Sequence, residues 1–287
     1  MEELKKDWLL RLDLNDMNDQ KRPQWFERKL ELCKKRQVEI VKITGKGHMF
    51  HHFKERQYET YHYLLHVAFL MKQREDFYIE EIVIPYQYKT ENGAVISHEE
   101  LKNKNIEQEN SETLDLIEKR DGERERFTYD RMKAVQYAEQ WWNSYHPDFR
   151  TFDVDCTNFV SQCIYAGGAP MWGSPNRERG WWYGGNNWSF SWAVAHSLRW
   201  YLSGATKGIK GVEVTTAEQL IPGDVICYDF RGDGRFDHTT IVVAKDADGM
   251  PLVNAHTDNS RHRYWSYEDS TAWTPNIKYK FFHLTES

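Results

Sequence analysis

Apolar residues recur with two different periods along this chain of 287 residues, and each change of period marks an element. Phe26, Leu30 and Cys33 stand at i, i+4 and i+7, which predicts an amphipathic helix over residues 24–36 with Cys33 as a core thiol. Residues 38–44, 58–71 and 77–88 are rich in β-branched and aromatic side chains, and the last two flank the polar turn 72–76, so a long antiparallel hairpin is expected. Helical spacing returns over residues 129–145, where Met132, Val135, Ala138, Trp142 and Tyr145 share a side. It recurs in the stripe Phe159, Val160, Cys163, Ile164 and over residues 191–202. Strands are then predicted at 225–228, 238–244 and 251–257, the last two joined by the turn 245–249 into a second hairpin. The mixture is α+β.

Composition narrows the class. With hydrophobic residues at 40% beside charged residues at 29%, the chain is neither depleted enough in apolar groups for disorder nor rich enough in them for a membrane bundle. A net charge of -6 supplies no bulk attraction to phosphate, so nucleic acid is not expected as a partner. The three apolar residues Trp8, Leu9 and Leu10 fall short of the roughly 7–15 of a signal peptide, and 61–71 is broken by His62 and His66, so no membrane span and a cytoplasmic location are expected. Four cysteines do not make a disulfide scaffold. Of the first 126 residues 49 are charged, against 33 of the remaining 161, while ten of the 12 tryptophans follow residue 125. Residues 102–126 carry 14 charges in 25 positions and read as a solvated connector. The expected division is an N-terminal α+β domain, 1–125, and a second domain, 126–287.

Chemistry concentrates in the second part. Asp153 or Asp155 can cap the helix that Gly167 and Gly168 stop, which puts Cys156 in its first turn. Unpaired N–H groups and the positive end of the helix dipole favour thiolate there, so a lowered thiol pKa is expected. Cys163, two turns further along the stripe, is expected to be structural. A nucleophilic cysteine needs an imidazole to carry its proton and a partner to orient that ring. His238 opens a predicted strand, and Asn254 and His256, two apart on the next, project to one face where either can orient it.

These residues carry a resemblance. Residues 155–162 (Asp-Cys-Thr-Asn-Phe-Val-Ser-Gln), Ser191-Trp192, the Gly223-Asp224-Val225-Ile226 strand and Asp237-His238 together resemble the putative amidase domain family of the papain-like, NlpC-like superfamily of cysteine peptidases. The resemblance covers about residues 125–287. It implies a helix bearing Cys156 packed on an antiparallel sheet bearing His238, with an amide bond hydrolysed through a thioester and no metal or organic cofactor. The family's polar third residue carries over to His256, with Asn254 as the alternative. Papain-type enzymes place a glutamine six residues before the cysteine, where this chain has Arg150, so only the Cys156 backbone N–H is assigned to the oxyanion.

Two further signals bear on ligands. Asp229, Asp233, Gly234 and Asp237 fit positions of a calcium loop, but Arg231 and Thr240 stand where ligands belong, and an Asp-Gly turn explains the run. The N-terminal histidines His48, His51, His52, His62 and His66 lack cysteine or carboxylate at ligand spacing, so no metal site is assigned. Trp182, Trp188 and Trp192 lie in a glycine-dense segment able to wall a cleft for a peptide or glycopeptide such as a peptidoglycan fragment. A non-catalytic carbohydrate- or peptide-binding module and a Cys-His acyltransferase remain as alternatives.

Overall fold

The computed structural model describes residues 2–14, 22–101 and 127–286, and these fall into two compact units. The expected boundary at 125 and the connector 102–126 lie outside the described residues. The first unit takes in the described residues before 102 together with Ser266–Trp273, a segment that the sequence division had left in the second part.

In the first unit, α1 (Glu2–Arg11) and α2 (Gln24–Lys35) accompany the antiparallel strands β1 (Glu39–Glu55), β2 (Tyr58–Gln73), β3 (Asp76–Glu91) and β4 (Ala94–Glu100), which pair in chain order. Register follows from alternation. Tyr63, Leu65, Val67 and Phe69 face inward opposite Tyr86, Ile84, Ile82 and Glu80. A one-residue slip would turn that whole set to solvent. The predicted helix stripe is present in part, since Phe26 and Cys33 are buried, with Trp25, Lys29 and Leu32 beside them, while Leu30 lies at the core's edge. Lys29 is the exception to an apolar stripe. Fully buried, it pairs with Glu80 of β3 and, at 2.7 Å, with Asp269 of the Ser266–Trp273 segment.

The second unit holds α3 (Arg131–Trp141), α4 (Cys156–Ala166), the short ribbon β5 (Tyr183–Gly184) and β6 (Asn187–Trp188), α5 (Phe190–Ala193) and α6 (Ala195–Gly204). Strands β7 (Ile209–Val214), β8 (Val225–Asp229), β9 (His238–Lys245), β10 (Pro251–Ala255), β11 (Ser260–Tyr264) and β12 (Lys278–Glu286) form an antiparallel sheet in the order β11-β10-β9-β8-β12-β7. Val225, Cys227, Ile241, Val243, Phe282 and Leu284 present one face of it to Phe159, Val160, Cys163 and Ile164 of α4 and to Leu198 and Leu202 of α6. The buried stripe of α4 matches its prediction, including a structural Cys163 and a stop at Gly167 and Gly168.

Two helices depart from their readings. On α3, which ends at Trp141, the buried positions are Ala134 and the expected Ala138, whereas Met132 and, beyond the helix, Tyr145 are exposed, because small side chains let the helix approach closely. The predicted helix 191–202 breaks at Val194, whose extended backbone separates α5 from α6. Between α4 and α5, Gly173 and Gly180 flank a bridge joining Trp172 to Trp181, and a Cβ on either would stand within 2.2 Å of backbone. Among the described residues, no helix is long and apolar enough to cross a membrane.

Lys29→Ala would strand Glu80 and Asp269 as uncompensated buried carboxylates. We expect a loss of about 3–5 kcal/mol in urea unfolding of the full chain; a loss within the ~0–1 kcal/mol of an exposed pair would refute this account.

Candidate active site

Helix α4 begins at Cys156 with Asp155 as its N-cap residue, yet the Asp155 carboxylate does not cap it. Instead Oδ1 accepts the Phe152 N–H and Asn158 Nδ2, both at 2.9 Å, while Oδ2 takes Nδ1 of His256 at 2.7 Å. The Asp155 N–H donates to Thr257 Oγ1 at 3.2 Å. Asn158 extends the knot, donating to the Arg150 carbonyl at 2.9 Å and accepting Trp192 Nε1 at 2.8 Å. Ser161 donates to the Trp192 carbonyl and receives Trp181 Nε1, and Gln162 receives the Tyr137 hydroxyl. The polar residues after the cysteine thus seat the helix in its surroundings.

The sulfur lies against Thr157 Oγ1 at 3.7 Å and against the backbone N–H and hydroxyl of Thr239, and Thr157 Oγ1 is 3.1 Å from Thr239 Oγ1. Burial pushes the Cys156 thiol up, offset only in part by those Thr donors, so the sulfur rests as a thiol. The expected lowering by the helix terminus is reversed, because a side chain only 1% exposed loses more to desolvation than the dipole returns.

His238 immediately precedes Thr239, and strand alternation separates them. Across β8 and β9, Cys227 pairs with Thr239 on the helix face, and Tyr228 pairs with His238 on the other. There the Phe230 ring stacks on His238 at 6.0 Å and the Tyr228 hydroxyl lies 3.1 Å from Thr240 Oγ1. Burial, reinforced by the Arg263 charge, lowers the His238 ring to about 3, so it stays neutral at ordinary pH. Among the described residues, neither His238 nor His256 hydrogen-bonds the sulfur. The expected thiolate-imidazolium pair is therefore not formed in this structure.

The expected orienting residues serve other partners. His256 uses Nδ1 on Asp155 and Nε2 on the Trp141 carbonyl at 2.8 Å, so both nitrogens are occupied, and its ring stacks on Phe159 at 4.0 Å. Asn254 donates to the Ala138 carbonyl and to Glu139 Oε1, and accepts the His262 N–H. Their shared face is as expected, but that face looks onto α3 and not onto His238. Glu139 also holds Arg261 and His262; burial would raise its carboxyl, yet those partners outweigh burial and bring it down to about 2.

Of the three tryptophans assigned to substrate, Trp182 and Trp192 are buried with their indole N–H groups bonded internally, which corrects that assignment. Trp188 is half-buried and lies between the guanidinium groups of Arg150, at 5.3 Å, and Arg177, at 5.2 Å. Asp224 of the Gly-Asp-Val strand, fully buried, binds Arg131 at 2.6 Å and the Leu284 N–H at 3.0 Å, a structural role. Asp229 turns its carboxylate onto the N–H groups of Gly232, Asp233 and Gly234, and among the described residues no cluster of three ligating side chains is arranged for a metal. Sequence reading missed the hub role of Asp155 and Asn158, whose signal is a polar pair flanking an apolar helix start.

Asp155→Ala would leave three donors unpaired, and we expect a loss of about 2–4 kcal/mol by chemical denaturation. Because His238 is held below its ordinary 6.5, its contribution to stability is present above that pH and is lost as pH falls toward about 3. Unfolding curves from pH 7 to 4 should show this loss, and His238→Gln should flatten it; an unchanged slope would count against the assignment.

A sequence model of the family described as "Putative amidase domain" matches residues 128–282. In Bacillus subtilis (strain 168), "Uncharacterized protein YhbB" is 49% identical over 269 residues, covering 91% of this chain and 86% of that protein. "Uncharacterized protein YjcM" of the same organism is 31% identical over 140 residues, 46% of this chain and 31% of that protein. No solved structure matches. The family match runs from the residue before Tyr129, whose hydroxyl anchors the Gly223 carbonyl, to Phe282 in the core of the sheet, and so takes in the whole Asp155 knot; the chain belongs to the putative amidase domain family.

Proposed function

We propose that the second unit hydrolyses an amide bond of a peptide or glycopeptide by acyl transfer to Cys156, with His238 carrying the proton, in a papain-like or NlpC-like arrangement. The observation behind this is the seat of the sulfur at the first residue of α4, against the backbone N–H of Thr239 and one residue along the chain from His238. Both groups rest uncharged, so the reaction starts from a thiol and a neutral imidazole. His238 takes the Sγ proton as the S–C bond forms, and the charge on the carbonyl oxygen is received by the Cys156 backbone N–H. Asp155 leaves that first turn without a side-chain cap, which keeps its N–H groups available.

The imidazolium then protonates the leaving nitrogen as the C–N bond breaks, leaving a thioester. Water, deprotonated by His238, breaks the C–S bond, releases the acid and returns the proton to sulfur. The ring has to swing from the Tyr228 and Phe230 face to the sulfur when substrate enters; catalytic hydrogen bonds commonly tighten only in the complex.

The burial of the sulfur and its contacts with two threonines favour a second reading, in which the domain binds an amide-containing ligand without cleaving it. Incubation of the full chain with a panel of peptide amides, read by mass spectrometry, separates the two. We expect an acyl adduct on Cys156 and a drop of about 10³-fold or more in turnover for Cys156→Ala and for His238→Ala. Unchanged turnover in either variant would remove that residue from the mechanism, and transfer to an added amine in preference to water would make the protein an acyltransferase.

A further inference from the structure

Arg199 lies on α6 with 9% of its surface exposed, and its Nε and Nη1 are buried with no hydrogen-bond acceptor among the described residues. Its guanidinium stacks 3.7 Å above the Trp200 ring and 5.6 Å from the Phe236 ring, two residues before His238. Cys227, which pairs with Thr239 at the start of β9, feels both the Arg199 charge and Cys156. Leu198 and Leu202 on either side of Arg199, and Phe236 beneath it, share one core cluster with Cys227 and the stripe of α4. The acidic residues of the loop that leads into β9 are engaged elsewhere. Asp229 holds three backbone N–H groups, Asp233 holds the Arg235 N–H at 2.9 Å and Asp237 accepts the Phe230 N–H at 3.3 Å.

A guanidinium taken out of water without an acceptor is unfavourable, and folded proteins seldom keep one unless something else completes it. The planar fork suits a carboxylate, and the flanking rings of Trp200 and Phe236 hold its plane fixed. We propose that Arg199 is the receptor for a carboxylate of the substrate, so that the amide presented to Cys156 belongs to an acidic peptide or amino-acid derivative. This deepens the reading above and rests on it, since the carboxylate anchors the substrate beside the sulfur. Arg199 is a binding residue and takes no part in proton transfer.

The test is a binding measurement on the full chain, which does not require turnover. N-acetyl-L-glutamate, the carboxylate-free N-acetyl-L-glutamine amide and inorganic phosphate are titrated separately by calorimetry, while NMR follows the Arg199 Nε–H signal. We expect the glutamate derivative to shift that signal saturably and to bind at least about tenfold more tightly than the glutamine derivative. Arg199→Met should abolish the preference while Tm holds or rises, because an unpaired buried charge is removed. Arg199→Lys should keep part of it.

Equal binding of the two derivatives, a preference that survives Arg199→Met, or a Tm lowered by that substitution would overturn the proposal. Tighter binding of phosphate would reassign the site to a phosphate. Cys156→Ala separates the two claims. If the preference for glutamate is present but this variant cleaves amides as the wild type does, the catalytic reading fails and the carboxylate receptor stands; if cleavage is lost without any preference, the reverse holds.

Discussion

Asp155 holds three donors from three parts of the second unit: the loop before α4, the helix itself through Asn158, and the end of β10 through His256. A buried carboxylate that accepts three hydrogen bonds is rigid, since loosening any one partner exposes a charge to a medium that cannot solvate it. The sulfur is the next atom group along the chain, so its position inherits that rigidity. The same commitment leaves the first helical turn without a side-chain cap. The missing side-chain cap and the position of the sulfur are thus two consequences of one set of hydrogen bonds.

That constraint also explains why His256 cannot orient His238. A histidine between Asp155 and the Trp141 carbonyl, with Phe159 against its face, is a strut joining α3 to α4. Sequence reading grouped it with His238 from chain order and a two-residue spacing. The spacing placed Asn254 and His256 on a shared face correctly, but strand periodicity does not say what packs against that face. The same periodicity, applied to His238 and Thr239, already contains the finding that in the resting structure only one of them faces α4, and the apolar partners of β9 select Thr239.

The long elements were legible because their patterns are strong. The stripe of α4, its glycine stop and the alternation of β2 and β3 leave one arrangement that buries the apolar set. Helix α3 was legible in part: Ala138 of the expected side is buried and Val135 packs against the core, whereas Met132 lies exposed and the buried Ala134 carries little hydrophobic signal. Trp182 and Trp192 were misread for a related reason: an aromatic-rich glycine loop looks the same in sequence whether its rings line a cleft or fill a core. Only the internal partners of their N–H groups distinguish the cases.

Buried charge sorts the remaining residues. Lys29 lies on an otherwise apolar stripe of α2, and Glu80 and Asp269 complete it; Asp224 is completed by Arg131 and backbone N–H groups. Both read as architecture, because the fold supplies what the charge needs. Arg199 occupies a comparable position, in line with Ala195 and Leu202 on α6, yet the described residues give its Nε and Nη1 no acceptor. An apolar side chain in the place of Arg199 would avoid the desolvation of the guanidinium, so the fold gains nothing in stability from it. The difference between Lys29, which the fold completes, and Arg199, whose Nε and Nη1 the described residues leave without an acceptor, is therefore what singles out Arg199, on a helix that shares its core cluster with the stripe of α4.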